Sequence, residues 1–146
     1  MYFEEFYIGQ HFKLNPITLS SNEIDEFAHL YDPQPIHIDP EFAKNGLFKG
    51  IIASGFHTLS VVWGEWIRTN HFGTEIIGGT GLDFVKWSGP VRPGDILHTN
   101  VEIVGKEASS KGNRGLVAIR FTVSNQEGQT VLITQGRVYL KRQPQS

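Results

Sequence analysis

Cysteine is missing from the chain altogether. That excludes disulfides, thiolate metal sites and a cysteine nucleophile, and it fits a reducing compartment. Charge of one sign is not in excess either: 13 Lys and Arg stand against 15 Asp and Glu, a formal net charge of −2. The basic residues are scattered, so nothing points to nucleic acid or an anionic membrane as a partner. The Lys141-Arg142 pair reads as a solvated tail. Long hydrophobic runs are lacking too. The most apolar stretch, residues 51–67, is interrupted by Ser54, His57, Thr58 and Glu65, too short and too polar to span a bilayer. Met1-Tyr2-Phe3-Glu4-Glu5 shows no basic segment leading into an apolar one, so no signal peptide is expected. A soluble cytoplasmic protein is the expectation.

What is present suits one globular domain over residues 1–146: hydrophobic residues make up 39% and mean hydropathy is −0.22, enough apolar material for one core. Phe12 to Leu19 reads as an opening strand, with Pro16 marking an edge or kink. Ser20 and Glu23 form a capping-box pattern, and Ile24, Phe27, Ala28 and Tyr31 make one apolar stripe behind it. Pro33 and Pro35 stop that helix, and Asp39-Pro40 starts a short one with an acidic N-cap. Residues 55–71 form the longest helical candidate, apolar nearly all round and therefore expected to be buried, with Gly73 as its stop.

From residue 75 onward, period-two segments alternate with turns at Pro90–Asp95, Ser109–Gly115 and Asn125–Gly128. Leu97, Thr99, Val101 and Ile103 share one strand face; Val117, Ile119, Phe121 and Val123 share another. Val131 and Ile133 begin a last strand running to about Leu140. Short turns between neighbouring strands favour an antiparallel sheet. One apolar helix and one antiparallel sheet predict an α+β domain in which the sheet wraps the helix.

The run Tyr31-Asp32-Pro33-Gln34-Pro35-Ile36-His37-Ile38-Asp39-Pro40 carries the chemistry. Its two prolines favour an extended, stiff connector that fixes the separation of Asp32 and His37, as proton transfer requires. An imidazole exchanges protons near neutral pH, and a carboxylate orients or deprotonates a water. Asp39 reads as an N-cap. Further on, Ala53-Ser54-Gly55-Phe56 enters the apolar helix. A helix N-terminus presents unpaired N–H groups, and a glycine there admits a ligand atom close to the backbone. Such donors suit charge developing on a carbonyl oxygen.

The segment from Asp32 to Gly55 resembles the signature of the MaoC-like, (R)-specific enoyl-CoA hydratase family, and Trp87-Ser88-Gly89-Pro90-Val91-Arg92-Pro93-Gly94-Asp95 resembles its later turn. The resemblance implies a hot-dog fold, a homodimer and a thioester substrate on CoA or acyl carrier protein, with no cofactor. It also implies that Asp32 and His37 activate a water and that the Gly55 N–H polarises the thioester carbonyl, a donor worth roughly 3–4 kcal/mol. Gln34 and Ser54 are the expected substrate contacts; Gln34 stands where the family more often has Asn. Trp63 and Trp66 read as core, and either would shorten the accepted acyl chain if it faced the pocket. The implied reaction interconverts 2-enoyl and 3-hydroxyacyl thioesters. Thioester hydrolysis and non-catalytic acyl binding are the alternatives, and the pairing of Asp32 with His37 on one loop favours the first.

Overall fold

The computed structural model describes residues 1–145. After a 3-10 turn at Phe3–Glu5 come strands β1, His11–Lys13, and β2, Ile17–Thr18. They stand where one strand was expected, because Pro16 has no N–H to give a ladder. Helix α1, Ser21–Tyr31, opens with the expected reciprocal cap: the Glu23 amide donates to Ser20 Oγ at 3.1 Å and the Ser20 amide to Glu23 at 3.0 Å. Its stripe buries Ile24 and Ala28 but leaves Tyr31 exposed. The helix ends before Pro33, whose ring disfavours helical backbone at Asp32. Helices α2, Pro35–Ile38, and α3, Pro40–Lys44, follow, and Asp39 caps α3 by accepting from the Phe42 amide at 3.1 Å.

Helix α4 spans Gly55–Arg68, shorter than the expected 55–71. Asn70, at φ 62°, takes the left-handed position after the Thr69 C-cap, a conformation asparagine tolerates; Gly73, at φ 57°, turns the chain further on. Strands β3, Ile76–Lys86, β4, Ile96–Ala108, β5, Arg114–Ser124, and β6, Thr130–Lys141, complete the chain. All pairings are antiparallel in the order β1-β4-β5-β6-β3, with β2 also on β4.

The predicted inner faces of β4 and β5 are buried. The buried face of β6 changes parity at its start, where Val131 and Leu132 are both buried. Val131 is the extra residue of a bulge between the Val123–Leu132 and Ser124–Thr130 pairs, and from Leu132 on the strand alternates regularly, burying Leu132, Thr134, Val138 and Leu140. Arg142 is no free tail either: it donates to Glu4 at 3.1 Å and ties the end of β6 to the first turn.

From α4, Val62 and Trp66 enter the core, where the Trp66 ring meets Phe72 and Phe121 edge-on. The sheet covers only this side of the helix. Phe56, Ser60, Trp63 and Ile67 form an outward stripe, with Phe56 58% and Ile67 40% exposed, contrary to the expectation of a fully buried helix. A sheet of one chain reaches one face of a helix, and an all-round apolar surface leaves the other uncovered. Among the described residues no helix is long and apolar enough to cross a membrane. A single antiparallel sheet laid over α4 is the α+β hot-dog architecture.

Candidate active site

Asp32 and His37 come together by a route other than the expected extended connector. Asp32 follows the last residue of α1, and its amide still donates to the Ala28 carbonyl at 2.8 Å. The chain then coils rather than extends: Pro35 takes the first position of α2, and the His37 amide donates to the Gln34 carbonyl at 2.9 Å. Stiffness comes from a hydrogen-bonded turn. It sets His37 Nε2 3.3 Å from Asp32 Oδ2.

The imidazole is 4% exposed, and its Nδ1 lies 2.6 Å from the Ile52 carbonyl oxygen. A carbonyl only accepts, so Nδ1 carries a hydrogen, and Nε2 is the nitrogen turned to the carboxylate. The 45–54 loop that supplies this carbonyl is pinned on both sides. The Ile52 amide donates to Ile36 at 3.3 Å and the Ala53 amide to Val91 at 2.8 Å.

Both carboxylate oxygens of Asp32 are held. Gln34 Nε2 donates to Oδ1 at 2.7 Å, and the Ser54 hydroxyl donates to Oδ2 at 2.6 Å. Burial pushes the Asp32 carboxyl up, but these two hydrogen bonds and the neighbouring imidazole outweigh it and hold the group below the usual carboxylate range. Ser54 occupies the N-cap of α4 yet makes no side-chain cap, because its hydroxyl is given to Asp32. The Gly55 and Phe56 amides therefore have no acceptor among the described residues. They are free donors at the positive end of the helix.

These groups border a cavity of about 440 Å³ that is lined by Asp32, Gln34, His37 and Gly55 and walled by apolar side chains. Of the expected site residues, Ser54 alone is away from the cavity wall: it is 1% exposed and meets Asp32 from behind. Neither Trp63 nor Trp66 lines the cavity; the tryptophan that does is Trp87, together with Phe48 and Phe56. The signal for Trp87 was its place at the head of the Trp87–Asp95 segment, which the resemblance tied to the family but not to the pocket.

Gly55 also differs in its reason. A Cβ there would come within 2.3 Å of the Trp87 ring, so the open side of the glycine is filled by an indole rather than left for a ligand. The amide, not the α-carbon, is what remains for a substrate to meet.

Against known proteins, the model of the MaoC like domain matches residues 4–125. The uncharacterized protein YdeM of Bacillus subtilis (strain 168) is 37% identical over 142 residues, covering 97% of this chain and 100% of that protein. The 3-hydroxyacyl-thioester dehydratase Z of Mycobacterium tuberculosis (strain ATCC 25618 / H37Rv) is 32% identical over 102 residues. That match covers 66% of this chain and 65% of the dehydratase. The crystal structure of a MaoC-like dehydratase from Rhodospirillum rubrum superposes with a TM-score of 0.91 at 30% identity, covering 99% of each chain. With this match along most of its length, and with the hot-dog fold, the chain belongs to the MaoC-like domain family.

Proposed function

We propose that the protein is a hydratase/dehydratase that interconverts 2-enoyl and 3-hydroxyacyl thioesters carried on CoA or acyl carrier protein. One observation carries the reading: a carboxylate and an imidazole 3.3 Å apart face a cavity that reaches the free amides at the head of α4. The activity named for the mycobacterial relative supports the same reaction class.

In the hydration direction, a water rests between Asp32 and His37 Nε2. Asp32, ionised at neutral pH, accepts one of its hydrogens and keeps the oxygen aimed. His37 Nε2 takes the other proton as the oxygen bonds to the β-carbon of the enoyl thioester. Electron density from the double bond moves onto the thioester oxygen, where the Gly55 N–H stabilises it. His37 then returns the proton to the α-carbon, so both the carbonyl and the imidazole end as they began. The Ile52 carbonyl holds Nδ1–H throughout and keeps the ring from turning. Ser54 acts through Asp32; Gln34, which also lines the cavity, steadies Asp32 and touches the substrate.

The working unit in this reading is a homodimer. The uncovered stripe of α4 and the edge strand β3, with Ile77 46% and Leu82 54% exposed, supply the apolar surface and the unpaired edge for a second copy.

The test is a spectrophotometric screen of purified protein against enoyl-CoAs of varied length, with thiol release followed in parallel. Loss of the conjugated absorbance without free thiol is the expected result. Thiol release at the same rate from saturated thioesters would make it a thioesterase instead.

A further inference from the structure

The cavity itself restricts which acyl group the site takes, a deduction that rests on the hydratase reading for its chemistry but not for its shape. Its ionisable lining consists of Asp32 and His37; no lysine or arginine among the described residues reaches its wall. Apart from the uncharged polar groups of Gln34, Thr58 and Ser88, the remaining surface is mostly hydrocarbon and aromatic, chiefly Ile36, Phe48, Phe56, Trp87 and Val131. A second carboxylate on the acyl group would be desolvated there without a counter-ion, close to the negative Asp32.

Trp87 sets the size. Its indole lies against the Gly55 α-carbon, where even a methyl group has no room, and meets the Phe56 ring edge-on at 5.3 Å between centroids. The backbone that carries the indole is fixed, because the next residue is tied to β6 twice. The Ser88 amide donates to Val131 at 3.1 Å, and its hydroxyl donates to Thr130 at 2.9 Å. So the ring walls the cavity right beside the amide that would hold the thioester carbonyl.

We infer that Trp87 is a specificity-determining residue, and that this site accepts short, uncharged acyl groups while rejecting long-chain and dicarboxylic ones. The test measures hydration of 2-butenoyl-CoA, 2-octenoyl-CoA and the CoA monothioester of butenedioic acid, for the native chain, Trp87→Ala and Trp87→Phe. Calorimetric binding of butanoyl-CoA and octanoyl-CoA runs alongside, so that the pocket is read without turnover.

For the native chain, kcat/KM for the four-carbon substrate should exceed that for the eight-carbon one by about tenfold or more. It should exceed that for the charged substrate by about a hundredfold. Trp87→Ala should erase or reverse the length preference in both kinetics and binding, Trp87→Phe should keep most of it, and neither should admit the charged acyl group. A length preference unchanged in Trp87→Ala, or a charged substrate used as well as the neutral one, overturns the inference. If binding shows the preference and its loss in Trp87→Ala while nothing is hydrated, the pocket assignment stands and the hydratase reading fails. If no thioester binds, both fall.

Discussion

Asp32 is drawn in two directions: burial favours its neutral form, and the hydroxyl of Ser54, the amide of Gln34 and the nearby imidazole favour the ionised one. The hydrogen bonds win, so the group is a carboxylate well below neutral pH. Because its folded value is depressed, the stability it contributes is present above the ordinary carboxylate value of 3.8 and is lost as pH falls through the folded value. Ser54→Ala removes a donor to the charged form and raises the Asp32 pKa. The acid limb of the kcat/KM profile should therefore move to higher pH, and the stability penalty of the variant should shrink in acid; a penalty equal at both ends of a pH series of urea melts would refute this. Asp32→Asn and His37→Ala should each lower turnover about a hundredfold or more with the fold kept, as steady-state kinetics and circular dichroism would report.

At the scale of elements, helix α1 depends on its cap and helix α4 on what its inner face meets. Ser20→Ala leaves the Glu23 amide unpaired and should cost about 1 kcal/mol in chemical denaturation. Trp66 is fully buried between β5 and the loop at Phe72, so Trp66→Ala opens a large cavity and should cost about 3–5 kcal/mol. His57, also on α4, stacks on Phe27 of α1 with ring centroids 4.4 Å apart. Desolvation holds its pKa below 6.5, although Glu23 pulls it upward. The unfolded imidazole binds its proton first on acidification, so the stability is complete above the ordinary value and is lost as pH falls through the lower folded one. His71 shifts the same way, by burial and by the N-terminal ammonium. Urea midpoints should fall between about pH 7 and about pH 5, and His57→Gln should flatten part of that fall.

For the whole molecule, an uncovered apolar stripe lies on α4 and an unpaired sheet edge on β3. Phe56, Trp63 and Ile67 run along one face of α4, while β3 pairs with β6 on one side only and exposes Ile77 and Leu82. A partner pairing at that edge would also cover apolar surface near the cavity mouth, since Phe56 belongs to both the stripe and the cavity wall. Sedimentation analysis should give twice the 16.4 kDa chain mass. Charges at Ile77 and Leu82 should yield monomers that keep their secondary structure; a native chain that sediments as a monomer at high concentration would remove the dimer from the proposal.

Residues close in the chain could be read directly. The capping box at Ser20 and Glu23, the Asp39 cap and the buried faces of β4 and β5 depend on spacing within a turn or along a strand, and each stands where the spacing put it. The pairing of Asp32 with His37 was legible for the same reason, although the turn that joins them is coiled rather than extended. Only tertiary contact decided the rest. Ser54 turned from its helix to a carboxylate 22 positions earlier, Trp87 settled on Gly55, and a bulge at Val131 interrupted the pairing of β6 with β5. Local pattern specifies which groups are apolar or charged; where two distant surfaces meet is set by packing the whole core at once, and no spacing along the chain encodes it.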